Sequence, residues 1–534
     1  MSADEDLDED LVGRAVGGVG DGWAGVRELV ELGRDQLDRR GFLQLAGLGA
    51  AAASLAACSS RPSREILPYA NQPPELSPGV AQHYATALVE DGFATGVLVA
   101  AHEGRPVKVE GNPDHPASLG ATRAIEQAAV LSLFDPERLQ AIHAQGTPAP
   151  WSAVARILDD AAAARGAGLH LVLEPTTSPL VVALVERVRA RLPAAGITFW
   201  SPFAPRAALE GHRLAFGRPL QAQLDLRAAD VIVALDADLV AGHPMALAYA
   251  RQISDRRRVV DGRSAMSRLY ALEAHHSPTG VIADHRIAVR GSQIEPIALE
   301  LLAAVIRARR GAAVPHGRYA LAERPPSYEW LSAVAGDLVA AAGRSVVVAG
   351  ERQPAIVHAA VAAINAVLGN LGRTVQLVEP VAFEAGEASH SLAELAHALE
   401  RGGVTSLVVL GGNPAYSAPA EARLAAAIPR VASSVYVGLY DNETARACKL
   451  AVPGLHDLER WDLARAYDGT LTPIQPLIEP LFAGRSVADV LHHLLGDPVA
   501  TDHDRVRAAW PALAAGASFE QALALGKLAG TAAP

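Results

Sequence analysis

Short, nearly continuous apolar runs recur along this chain at 169–173, 231–235, 345–349, 375–378, 407–410 and 435–439, and long Ala-rich stretches of helical character separate them. A strand that is apolar at every position has both faces covered, so the pattern predicts parallel sheets packed between helices. Nearer the start, Gly96-Val97-Leu98-Val99-Ala100 and Pro106-Val107-Lys108-Val109-Glu110 flank the turn-like Glu103-Gly104-Arg105 and predict a β-hairpin. The expected fold class is α/β. Two doubly wound parallel-sheet domains, 151–330 and 331–485, are mounted on a small N-terminal β-containing domain, 81–150, and 486–534 forms a helical extension.

The first eighty residues read differently. Arg39-Arg40 precedes an uncharged, small-residue run that ends in Leu55-Ala56-Ala57-Cys58. That is the form of a twin-arginine export signal closed by a lipobox. The run is short for a membrane-spanning helix, which needs about 20 apolar residues. Residues 1–58 are therefore set apart from the fold as an extended signal, with Cys58 as the lipidated first residue of the mature chain. Residues 59–80, with Pro62, Pro68, Pro73 and Pro74, are a Pro-rich linker. The acidic stretch from Asp4 to Asp10 ahead of the signal reads either as a partner-binding extension or as a disordered tail. The expected location is the outer, periplasmic face of the cytoplasmic membrane, reached through the twin-arginine translocase and held by lipid.

Composition narrows the function. The chain is 50% hydrophobic and 20% charged over 534 residues, with a net charge of −11. An acidic chain without a basic stripe argues against nucleic acid, whose phosphates require cations. It has only two cysteines, Cys58 and Cys448, too few for a disulfide framework or an iron–sulfur cluster. Cys448 reads as a buried structural thiol. Loops just past strand ends are where α/β sheets bind ligands. Three such loops are Gly411-Gly412-Asn413-Pro414, Asp236-Ala237-Asp238 with Gly242-His243-Pro244, and Gly350-Glu351-Arg352. No Gly-x-Gly-x-x-Gly or P-loop lysine accompanies them, so dinucleotide or ATP binding is unsupported. His275-His276, and His456 with Asp457 and Glu459, lack the further ligands a metal needs. His492-His493 falls on a helix and is expected to face solvent. Neither catalytic nor cofactor-binding residues are assigned, and no metal ligands.

The order of motifs resembles the bis-molybdopterin-guanine-dinucleotide oxidoreductases: Gly104 to Pro116, Leu133-Phe134-Asp135-Pro136-Glu137-Arg138-Leu139, the turn through Pro414, Tyr440-Asp441-Asn442-Glu443-Thr444-Ala445, and Val452 to Gly469. With the lipoprotein start, Ile66-Leu67-Pro68-Tyr69, Gly120-Ala121-Thr122 and Arg465-Ala466-Tyr467-Asp468-Gly469, it is most similar to the molybdopterin-like half of the large iron–sulfur subunit of alternative complex III. In that family's catalytic members a cysteine motif often ends near the position of Arg123, and a C-terminal barrel closes over the pterins; neither has a counterpart here. The resemblance implies a noncatalytic, cofactorless subunit of a membrane quinol-oxidising complex. Its implied partners are a separate cysteine-rich iron–sulfur subunit, a multihaem cytochrome and integral membrane quinol-binding subunits. An active molybdenum or tungsten oxidoreductase, and a lipoprotein holding a nucleotide-like ligand in the old pterin groove, are the alternatives.

Overall fold

The computed structural model describes residues 77, 79–203, 205–259, 265–309, 328–383, 391–513 and 516–533. Arg39, Arg40 and Cys58, with the signal and nearly all of the linker, lie outside these residues. In chain order, β1 (Gln82–Glu90), β2 (Phe93–His102) and β3 (Arg105–Gly111) make an antiparallel sheet. The pair β4 (His143–Ala144) and β5 (Thr147–Pro148) leads to β6 (Leu169–Leu173) and β7 (Gly196–Phe199). Next come β8 (Gln221–Leu224), β9 (Val231–Leu235), β10 (Arg268–Glu273), β11 (His285–Ala288), β12 (Ser345–Ala349) and β13 (Val375–Val378). The last strands are β14 (Ser406–Leu410), β15 (Ser433–Gly438), β16 (Leu450–Pro453), β17 (Asp462–Arg465) and β18 (Leu471–Ile474).

The two main sheets have the orders β11-β10-β9-β12 and β5-β4-β16-β15-β14-β6-β7. All four strands of the first are parallel, as are β16 through β7 of the second. Strand burial shows why the apolar runs are continuous. Along β6, Leu169, Leu171 and Leu173 enter one core while Val172 enters another. Along β9, Val231, Val233 and Leu235 face one core and Ile232 the opposite one. Successive side chains point to opposite faces, and both faces are covered. Local signals set the helix starts: Ser178 accepts a hydrogen bond from the Val181 N–H and Pro179 occupies the first turn of Pro179–Arg191.

The expected boundary at 330/331 does not describe the sheets. Strand β12 lies beyond it in sequence yet pairs with β9, and β14 pairs with β6. The chain leaves the seven-stranded sheet after β7, builds the four-stranded sheet, and returns. Nor does 143–148 stay with the N-terminal piece, since β4 pairs with β16. Strand β13 is correctly placed but pairs antiparallel with β8 rather than joining a parallel sheet. Apolar periodicity reports how a strand is covered, not which strand lies beside it, and this explains all three differences.

Residues 456–482 pack against the N-terminal sheet, with β17 and β18 forming a separate two-stranded sheet. Ala464 of β17 and Ile474 of β18 share a core with Ala87 and Ala94, and Thr86 Oγ1 donates to the Gln475 carbonyl. A buried ion pair fastens the same regions. Arg138 Nη2 donates to Glu459 Oε2 at 2.6 Å, and Nη1 donates to Glu459 Oε1 at 3.1 Å. The side chains are 1% and 0% exposed, so the charges are desolvated and must be held by geometry.

Candidate functional site

The carboxyl ends of the seven-stranded sheet open into a groove of about 770 Å³. Glu174 follows β6, Gly411-Gly412-Asn413 follow β14, and Gly454, Leu455 and His456 follow β16. Gly411 and Gly412 both have positive φ, 84° and 66°, which favours glycine. The backbone here approaches Glu174 closely: a Cβ at Gly411 would lie 2.4 Å from Glu174 Oε2. The Glu174 carboxylate also accepts the Gly412 N–H. Crowding by protein atoms and then the charge of Asp91 push the Glu174 carboxyl up to about 7. It is recessed in the groove wall but still open to solvent.

Asn413 lines the groove, but its amide is engaged within the protein. Its Nδ2 donates to Glu443 Oε2 at 2.6 Å, and its Oδ1 accepts from Thr444 N at 3.2 Å and Thr444 Oγ1 at 2.7 Å. Asn442 Nδ2 donates to the Gly412 carbonyl and to the Tyr436 hydroxyl. The Gly-Gly-Asn-Pro turn is thus tied to the helix Glu443–Ala447.

The tip of the β1–β2 hairpin, Asp91-Gly92, reaches between the two main sheets. Both residues have positive φ, as a two-residue hairpin turn of this hand requires. Thr177 Oγ1 donates to the Gly92 carbonyl at 2.5 Å, and a Cβ at Gly92 would lie 2.6 Å from the Pro175 carbonyl oxygen. Beside the tip, Glu351 past β12 has its carboxyl pushed up to about 7 by desolvation and by Asp91. Glu90 pairs with Arg123, which also pairs with Glu126. Arg123 therefore starts the helix Ala124–Leu133 inside an acidic cluster.

The histidines singled out in the sequence are mostly structural. His456 is buried; its Nδ1 accepts the Leu458 N–H and its Nε2 is 3.1 Å from Ser132 Oγ, while burial lowers its pKa. His275 is exposed beside Arg352. His492 and His493 sit on the helix Val487–Leu495 as expected. Instead of simply facing solvent they meet carboxylates, Asp497 at 2.6 Å and Asp159 at 3.0 Å. His115, in the motif loop, is fully buried with its Nε2 2.9 Å from Thr472 Oγ1. Burial drives the Cys448 thiol up to about 12, which leaves it a poor nucleophile. Among the described residues no group of three or more His, Cys, Asp or Glu is placed to hold a metal ion. Sequence reasoning passed over Glu174 and Asp91 and read Glu351 only as part of a loop. The available signal was an acidic residue directly behind an apolar strand, as in Leu173-Glu174 and Ala349-Gly350-Glu351.

No protein-family model matches the chain. It is 25% identical over 539 aligned residues to the menaquinone reductase, molybdopterin-binding-like subunit, of Nitratidesulfovibrio vulgaris strain Hildenborough, covering 91% of this chain and 76% of that one. Among solved structures, acetylene hydratase from Pelobacter acetylenicus superposes with a TM-score of 0.57 at 12% identity, over 77% of this chain and 69% of the other. The chain has the fold of the molybdopterin oxidoreductases, as the motif order implied.

That fold implies a pterin carrying a nucleotide pyrophosphate, and the groove as lined does not suit one. Five carboxylates line it, Glu90, Glu126, Glu174, Asp457 and Asp462, against two cations, Arg460 and Arg485. Arg460 is committed to Asp457 and Asp462. A pyrophosphate entering over Gly411 and Gly412 would find the Gly412 N–H already taken by the Glu174 carboxyl, where it needs free N–H donors.

Proposed function

We propose that this chain is a noncatalytic, molybdopterin-oxidoreductase-like subunit of a membrane quinol-oxidising respiratory complex of the alternative complex III type. In this reading it carries no cofactor of its own and docks a separate cysteine-rich iron–sulfur protein, holding it near a multihaem cytochrome and the quinol-binding membrane subunits. The observation that carries the reading is Glu174: the turn that would cradle a pyrophosphate is lined by the chain's own carboxylate. The likeness to a menaquinone reductase subunit along 91% of the chain supports the respiratory setting. The twin arginine and Cys58 support export and lipid anchorage on the periplasmic face.

The test is to purify the native protein from membranes in mild detergent, measure molybdenum, tungsten and pterin on this polypeptide, and identify the subunits that come with it. Metal and pterin below stoichiometry, together with an iron–sulfur protein and cytochromes, are expected. Stoichiometric metal and pterin on this chain would make it an oxidoreductase in its own right. A second result bears on location. Cys58→Ala is expected to move the separately expressed protein from the membrane fraction to the soluble periplasmic fraction, because acyl chains on one cysteine supply most of the anchorage. Retention of this variant on membranes after a salt wash, in cells lacking the partner subunits, would refute the lipid anchor.

A further inference from the structure

Two clefts meet at the tip of the β1–β2 hairpin. One is the groove at the seven-stranded sheet. The other, of about 160 Å³, is walled by the tip and by the loops that follow β7, β9 and β12, and Glu90 lines both. To the carboxylates of the groove the second cleft adds Asp91 and Glu351. Its cation among the described residues, Arg123, is already held by Glu90 and Glu126.

Asp91, Glu174 and Glu351 enter no ion pair among the described residues, and Arg123 acts on Asp91 only from beyond pairing distance. Each of the three is an exposed residue on the wall of its cleft. The missing counter-charge is felt locally. Desolvation, and then the charge of Asp91, raise the Glu174 and Glu351 carboxyls to about 7, and a cation brought alongside would relieve both. Two large apolar side chains share these walls without cover: Ile125 in the groove is 57% exposed and Phe203 in the cleft 67%.

An occupant that answers both features is cationic and carries apolar groups of its own. A nucleotide or a phospholipid headgroup would add negative charge to walls already short of cations. A second copy of this chain brings a net charge of −11. A metal ion finds no group of three or more His, Cys, Asp or Glu placed for it among the described residues, and it would leave Ile125 and Phe203 bare. A stretch of protein with Lys or Arg beside aliphatic or aromatic residues suits the whole surface. Opposite charge selects such a partner and sets its orientation, and apolar contacts between the charges exclude water.

We propose that the two clefts together form the docking surface for a basic segment of the partner subunit, whose Lys or Arg side chains pair with Asp91, Glu174 and Glu351 while apolar neighbours cover Ile125 and Phe203. The inference rests on the docking function proposed above and assigns the face that performs it.

Photo-crosslinking in the assembled complex tests this. The full chain is expressed with its complex, with p-benzoylphenylalanine replacing Ile125, Phe203 or, as a control, Val281, which is 73% exposed and lines neither cleft. After illumination, positions 125 and 203 are expected to be joined to one copurifying subunit at a peptide containing Lys or Arg, and position 281 is not. The variant Asp91→Asn/Glu174→Gln/Glu351→Gln is expected to retain about tenfold less of that subunit at physiological ionic strength. Its own thermal midpoint should not fall, since none of the three carboxylates has a counter-charge to lose. Crosslinks from 125 and 203 to a second copy, to residues 1–76 of the same chain or to a peptide without Lys and Arg would overturn the proposal, as would undiminished retention by the triple variant. If that variant does not fold, Glu351→Gln alone should lower the salt concentration at which the subunit dissociates, and an unchanged concentration refutes the surface. A wild-type chain that purifies without other subunits refutes the docking function itself, whereas a complex that assembles but ignores these changes refutes only its placement here.

Discussion

Arg138→Met is expected to destabilise the protein by about 3–5 kcal/mol, because it leaves the Glu459 carboxylate buried without its counter-charge. The replacement retains much of the side-chain volume, so the loss reports charge more than packing. Glu459 is otherwise held by the Leu481 and His456 backbone N–H groups, at 3.0 and 2.9 Å. The double variant Arg138→Met/Glu459→Met should recover part of the loss, since no unpaired charge is left buried, while the Leu481 and His456 N–H groups lose their acceptor. Urea midpoints of the four proteins supply the cycle; additive losses would show that the two side chains act separately. The pair also has a pH signature. Burial opposes the Glu459 charge, but Arg138 and the two N–H groups more than offset it and hold its pKa below the usual carboxylate value. A depressed folded pKa gives stability that is present above the unfolded value of about 4.5 and is lost as pH falls through the folded one. Stability of the wild type should therefore decline more steeply on acidification below about pH 4.5 than that of Glu459→Gln.

Gly350→Ala should cost at least about 3 kcal/mol, at the upper end for overpacking. Gly350 follows β12, and its N–H donates to the Leu235 carbonyl at the end of β9. A Cβ there would lie 1.8 Å from the Asp236 carbonyl oxygen, which is backbone and cannot swing aside. The substitution must pry apart the ends of two central strands and disturb Glu351 beside the hairpin tip. Gly336→Ala is the control. It lies within the helix Glu329–Ala340 with nothing within 4 Å of an added Cβ, so it should stabilise by up to about 1 kcal/mol. Equal thermal midpoints for the two variants would show that the strand ends yield more readily than their geometry implies.

Much of the fold could be read from residue order. The runs at 169–173, 231–235, 345–349 and 375–378 coincide with β6, β9, β12 and β13, because a fully covered strand must be apolar throughout. The predicted hairpin falls within β2 and β3. Strand β1 escaped notice since Gln82, His83 and Tyr84 open it with polar or exposed positions. Which sheet each strand joins was not legible, for pairing is a long-range property that leaves no local trace. The site was half legible. The glycine turn after β14 was visible as a position where ligands bind, but its relation to Glu174 depends on β6 lying alongside, 237 residues earlier at the Gly168–Thr405 contact. The hairpin tip shows the same limit. Asp91 and Glu351 lie far apart in the chain, and only the fold brings them to one cleft.

The departure and return of the chain between β7 and β14 has a consequence for biosynthesis. Strand β6 gains its neighbour β7 soon after it emerges from the ribosome, but its other neighbour follows only after some 237 further residues. At about 5–20 residues per second, that interval is on the order of 10–50 seconds. Throughout it, an apolar parallel edge has no partner and is open to mispairing with other nascent chains. The sheet cannot close from its amino-terminal side as translation proceeds, so the nascent chain has to be shielded until β14 arrives.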